Sequence, residues 1–90
     1  MTIEITHVRF DGHFKSHHNV THLRWSSGDE VSGGDRAALV ALLDAGTHVY
    51  IRCETGLLRV FVVHETGIAP YVRAHSDKKW TNELMNLPTF

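Results

Sequence analysis

Polar and apolar residues alternate with a period of two through most of this 90-residue chain, which is the signature of strands with one face turned to a core. Ile3 and Ile5 share one parity, Val8 and Phe10 share the other, and Thr6 lies between, so residues 3–10 read as a strand. Val20-Thr21-His22-Leu23-Arg24-Trp25 then nearly repeats Ile5-Thr6-His7-Val8-Arg9-Phe10, fifteen residues earlier. That spacing is too short for a solenoid unit and suits the two arms of a hairpin. The alternation turns Val8, Phe10, Leu23 and Trp25 to the core and His7, Arg9, His22 and Arg24 away from it. Further on, Val49 and Ile51 alternate with His48, Tyr50 and Arg52 over residues 47–53. A glycine-bearing turn at Glu54-Thr55-Gly56 leads into Leu57–His64, and a break at Glu65-Thr66-Gly67 leads to Tyr71-Val72-Arg73-Ala74. These segments predict five antiparallel strands.

The period changes once. Ser32-Gly33-Gly34-Asp35 matches the Ser/Thr-x-x-acid capping pattern, Leu39, Leu42 and Leu43 form an apolar stripe, and Gly46 supplies a left-handed C′ position. The polar Ser26–Gly34 stretch before it reads as a loop. Near the end, Trp80, Leu84 and Leu87 at i, i+4 and i+7 predict a short helical tail opened at Ser76-Asp77 and closed by Pro88. The expected fold is α+β: a mainly antiparallel five-stranded sheet in the order ββαβββ, one core helix on one face, and the helical tail packed alongside. No linker, low-complexity tract or like-charge block divides the chain, so residues 1–90 read as a single domain.

Composition narrows the function classes. The chain is 42% hydrophobic and carries a formal net charge of −1, which argues against disorder and against whole-molecule attraction to nucleic acid or anionic lipid. Any anion site must therefore be local. Histidine is over-represented, with eight residues, enough to add about six charges between pH 7.5 and 5.5 at the reference pKa. Cys53 is a single cysteine, and no signal-peptide pattern or long apolar run is present, which together point to a soluble cytoplasmic protein.

Three blocks carry a resemblance: Ile5-Thr6-x-Val8-Arg9, Val20–Trp25, and Asp77-x-x-Trp80-Thr81-x-x-Leu84-x-x-Leu87-Pro88-x-Phe90. In these the chain resembles an uncharacterised bacterial family of short proteins, a domain of unknown function. The resemblance implies a stand-alone bacterial or phage-borne protein. It carries over no activity and no catalytic residues.

The most suggestive constellation is the face opposite the predicted helix. Arg9, Arg24, Arg52 and Arg73 recur strand by strand there, with His7, His22, Tyr50 and Tyr71 as neighbours, while Arg59 and Phe61 are compatible with either face. Arginine offers a planar fork for phosphate or carboxylate, and Tyr or His can stack on a base, the chemistry of sheet-surface binders of single-stranded nucleic acid. Three readings stand side by side: a solvated face, an anion or nucleic-acid site, and a homo-oligomer interface. The expected function is a non-enzymatic binding module that engages nucleic acid or a nucleotide through this face, with homo-oligomerisation as the alternative.

Other motifs are weaker. His13, His17, His18 and His22 match no closed zinc pattern, Asp29, Glu30 and Asp35 fail the EF-hand spacing, and Gly33-Gly34 lacks the Lys-Ser/Thr of a P-loop. His75 with Asp77 and Cys53 with His48 are near in sequence but sit in no nucleophile motif. No metal, cofactor or catalytic residue is predicted.

Overall fold

The computed structural model describes residues 2–12, 15–54, 56–76 and 79–90. The elements in chain order are β1 (Thr2–Phe10), β2 (Val20–Ser27), β3 (Glu30–Asp35), α1 (Arg36–Asp44), β4 (His48–Cys53), β5 (Gly56–Val63), β6 (Tyr71–Ser76) and β7 (Lys79–Trp80), with 3₁₀ turns at His17–Asn19 and Glu83–Asn86. The strands form one open seven-stranded sheet ordered β3-β2-β1-β4-β5-β6-β7. All neighbours are antiparallel except β1 and β4, which run parallel from Thr2↔His48 to Ile5↔Ile51. The fold is thus α+β with one helix and a mixed, mostly antiparallel sheet.

The sheet exceeds the expected five strands at both edges. β3 occupies the Ser26–Gly34 stretch read as a loop, pairing with β2 from His22↔Asp35 to Ser27↔Glu30. Its sequence carries one apolar side chain, Val31, which is 77% exposed, so no alternation advertises a strand. Its glycines instead permit close approach. A Cβ on Gly33 would lie 2.9 Å from the Leu23 carbonyl oxygen, and one on Gly34 would lie 3.1 Å from the Ala38 side chain and 3.3 Å from Trp25. The predicted helical tail is also corrected. Trp80 belongs to β7, where it pairs with His75, and helix is confined to the four-residue 3₁₀ turn at Glu83–Asn86. The i, i+4, i+7 spacing there reflects a strand followed by a turn, and only Leu84 of the three is fully buried.

Parity on β1 is settled by two irregularities in its pairing with β2. Ile5 faces Trp25 and His7 faces Arg24, leaving Thr6 as an extra residue, and between Arg9↔His22 and Phe10↔Val20 Thr21 is extra on the other strand. The Thr6 bulge reverses the alternation on β1, so Ile3, Ile5 and Val8 are all buried with Phe10 packed against them, and the Thr21 bulge does the same on β2 for Val20 and Leu23. The two bulges are related like the arms of a dyad: the Thr6 hydroxyl donates to the Arg24 carbonyl (3.4 Å) and the Thr21 hydroxyl to the Arg9 carbonyl (3.3 Å). The sequence near-repeat is therefore the trace of a symmetric bulged hairpin.

Helix α1 begins one turn later than the capping pattern suggests, because Asp35 itself is the N-cap, accepting from the Ala38 amide at 2.8 Å. It ends in a Schellman arrangement: Gly46 (φ 96°) donates to Leu43 and Thr47 to Leu42, both at 3.0 Å. Leu39 is fully buried, with Val40, Leu42 and Leu43 packed against the same cluster as Ile51, Val60, Val72 and Ala74. Because Asp35 is exposed and its bond to Ala38 serves the cap, Asp35→Ala is expected to lower the unfolding free energy by about 1 kcal/mol, read from the urea midpoint at unchanged m-value. Among the described residues, no helix is long and apolar enough to cross a membrane.

Candidate functional site

The inner face of the sheet holds Ile3, Ile5, Val8, Leu23, Trp25, Val49, Ile51, Val60, Val72 and Ala74. The alternate residues of the same strands form the outer face. The cross-strand register there produces a continuous row with one residue from every strand: Val31, Ser26, Glu4, Tyr50, Arg59, His75 and Trp80. Arg59 and Phe61, left open by parity, belong to this face, since Val60 between them is buried and Arg59 stands opposite Tyr50 and His75.

The predicted arginines do not converge on one point. Arg52 pairs with Glu4 at 3.2 Å. Arg73 is half-buried and donates through Nε to the Thr81 carbonyl (3.3 Å) and through Nη2 to Asn82 Oδ1 (3.1 Å). Only Arg9 and Arg24 come together, and a residue absent from the sequence-based set brings them there. Both guanidiniums lie over the ring of Phe90, at 4.5 and 4.1 Å from its centroid, and Arg9 Nε donates to the Phe90 carbonyl at 2.9 Å. His7 meets the same ring edge-on at 6.3 Å. Its Nδ1 bonds the Thr6 hydroxyl (2.9 Å), as His22 Nδ1 bonds Thr21 (3.1 Å). Since each Thr hydroxyl donates its hydrogen to a carbonyl, each Nδ1 is the donor.

A second cluster occupies the β5–β6–β7 end of the face. Phe61, His75 and Trp80 pack edge to face, with centroids 6.0 Å (Phe61–His75), 6.4 Å (Phe61–Trp80) and 5.0 Å (His75–Trp80) apart. Phe61 is 38% and Trp80 42% exposed. The Arg59 guanidinium lies 5.2 Å from the Phe61 centroid and donates through Nη2 to His48 Nδ1 at 3.0 Å. His48 thus accepts at Nδ1, since a guanidinium has no acceptor. Tyr50 adjoins this cluster, opposite Arg59. Sequence reasoning named Tyr50 but read Trp80 as a packing anchor of the helical tail, and left Phe61 and Arg59 open between the two faces.

Tyr71 has a different environment. It is 3% exposed, contacts His18 edge-on at 4.4 Å, and its hydroxyl donates to Glu65 at 2.5 Å. That hydrogen bond to a carboxylate, followed by burial, raises the phenol pKa above its ordinary value. The 3₁₀ turn at His17–Asn19 covers this side, so Tyr71 is closed to a stacking ligand.

Of the histidines considered for metal, His13 lies outside the described residues, and among the described residues no three His, Cys, Asp or Glu side chains gather. Asp77 also lies outside them. His48 and Cys53 point to opposite faces of β4, and the Cys53 thiol bonds the Gly56 carbonyl at 3.3 Å. A cleft of about 510 Å³ at the start of α1 is lined by Asp11, His18, Asn19, Arg36, Val40 and Pro70, among others. Two of its charged groups are engaged within the chain: Arg36 donates to the His18 carbonyl at 2.8 Å and Asp35 caps the helix. Comparison of the chain with protein-family models, curated proteins and solved structures finds no match.

Proposed function

We propose that this protein binds single-stranded nucleic acid on the outer face of its sheet, with Phe61, His75 and Trp80 as stacking platform and Arg59 as the phosphate or base-edge donor. The observation that carries this reading is the exposed, contiguous aromatic cluster with a guanidinium at its border. Exposed aromatic rings are apolar area held in water, and they are stabilised when a base covers them, a contact worth about 1–3 kcal/mol per base and tolerant of sequence. A flat sheet face presents such rings without a groove, which suits unpaired bases better than a stacked duplex. The net charge of −1 is compatible because Arg59 acts locally.

The test is fluorescence anisotropy with an oligothymidine of about 12 nucleotides. Trp80→Ala and Phe61→Ala are expected to weaken binding about fivefold or more each. Arg59→Gln should make the slope of log K against log[salt] shallower by about 0.7, the single-strand value for one phosphate contact. An absence of binding at about 50 mM salt to oligothymidine, oligouridine and duplex alike removes the reading.

The second reading, self-association through the same face, draws on the exposure of Leu57 (53%), Phe61 and Trp80, since aromatics and arginine are enriched at interface cores. Light scattering discriminates: a dimer dispersed by Phe61→Glu favours the interface, and a monomer that binds oligonucleotide favours the first reading.

A further inference from the structure

The β1 end of the outer face holds a second ring-binding seat that the chain fills with its own residue. Strand β4 accompanies β1 only as far as Ile5↔Ile51. Beyond that point, on the edge β4 has left, the segment Pro88–Phe90 lies along β1. The Val8 amide donates to the Pro88 carbonyl at 3.0 Å, and Thr89 forms a parallel bridge with Val8. This short strand addition delivers the Phe90 ring to Arg9, Arg24 and His7 on the outer face, and its carbonyl to Arg9 Nε.

The occupant defines what the seat accepts. Two guanidiniums against one ring select a flat π surface, and a third contact from Arg9 selects an acceptor oxygen beside it. A nucleobase with its exocyclic carbonyl oxygens or adjoining phosphate offers both. Arg9 and Arg24 are exposed, and among the described residues neither pairs with an Asp or Glu side chain. The seat also faces the same way as the Phe61–Trp80 platform. At about 4.8 Å per strand step and about 3.3 Å per residue, the seat lies roughly 10 Å across the sheet from β5 and roughly 10–17 Å along the strands from the Glu4–Tyr50–Arg59 row, so an extended strand of nucleic acid running diagonally can reach both.

We infer that Arg9, Arg24 and His7 form a second nucleobase site on the outer face, and that Phe90 occupies it as an internal stand-in for a base. This rests on the reading of that face as a single-strand binding surface. A strand that engages the Phe61–Trp80 platform meets the Phe90 ring at the other end and competes with it, so removing the ring frees the two arginines for the ligand.

Phe90→Ala is the informative variant because it keeps the Val8–Pro88 backbone bond while emptying the seat. With the same oligothymidine probe, Phe90→Ala is expected to bind about tenfold tighter than wild type. Adding Arg9→Gln and Arg24→Gln to Phe90→Ala should abolish that gain. A thermal melt beside each measurement confirms that the variants are folded. Equal or weaker binding by folded Phe90→Ala, while wild type binds and remains sensitive to Trp80→Ala, overturns the second site and leaves the platform standing. A gain that survives the arginine substitutions also overturns it. Failure of both wild type and Phe90→Ala to bind, by contrast, removes the underlying reading of the face.

Discussion

The unfolding free energy is expected to fall by about 3 kcal/mol between pH 7 and pH 4, and His17→Phe is expected to abolish most of that fall. His17 is 8% exposed and its Nε2 is buried with no hydrogen-bond partner among the described residues. Its ring packs 6.4 Å from Tyr71, where the 3₁₀ turn meets β6. Burial lowers its pKa from 6.5 to about 4, with the positive charge of Arg73 and then His18 acting in the same direction. The groups facing it are thus Arg73, His18 and Tyr71, and Glu65, bonded to Tyr71, is the nearby carboxylate. The folded pKa lies below the unfolded one, so in the window between them the unfolded chain holds more protons. The contribution is therefore complete above about pH 6.5 and is lost as pH falls toward 4. Phenylalanine fills the site without a titrating nitrogen or an unpaired polar atom. Urea titrations of wild type and His17→Phe at several pH values measure the difference, and parallel profiles for the two would show that acid acts elsewhere.

That histidine illustrates how far the sequence carried the argument. Eight histidines announce a pH response, but composition assigns no weights, and the displaced titration of His17 arises from a tertiary contact between the first loop and β6. The fold class was legible because Leu39, Leu42 and Leu43 keep a helical period and most strands keep a period of two. β3 was not, since an edge strand made of Glu, Val, Ser, Gly, Gly and Asp is specified by what β2 lacks on that side and by the room glycine leaves. The parity conflict between Ile5 and Val8 was visible in the sequence, and the doubled Thr-His pattern marked the two bulges that resolve it. Among candidate residues, strand alternation placed His7, Arg9, His22, Arg24, Tyr50 and Arg52 on the outer face. It did not reveal that Arg52 and Arg73 are bonded within the chain, or that Arg9 and Arg24 meet over Phe90, because those contacts come from groups 48, 8, 81 and 66 positions away, respectively or at nearest.

Leu84→Ala is expected to cost about 2–5 kcal/mol, as large as truncating any strand leucine, although Leu84 lies in a four-residue 3₁₀ turn. A turn of that length has little stability of its own. It is held by what it inserts: Leu84 is fully buried in the same cluster as Ile5, Val8 and Val49, and Leu87 packs against that cluster. On either side, the Thr81 amide donates to the Ala74 carbonyl (2.9 Å) and the Val8 amide to the Pro88 carbonyl (3.0 Å), so the segment spans from β6 to β1. Removing the leucine leaves a cavity in the core and loosens the span that delivers Phe90 to Arg9 and Arg24. Two readouts follow. Urea denaturation should show the loss of stability, and hydrogen exchange at the Val8 amide should accelerate more than at the Ile51 amide, since Val8 is bonded to the tail. Trp80→Ala, at a 42% exposed position, should cost about 1 kcal/mol or less. If Leu84→Ala were as mild as Trp80→Ala, the tail would be an appendage resting on a finished core. A large loss makes it part of the core and ties the seating of Phe90 to global stability.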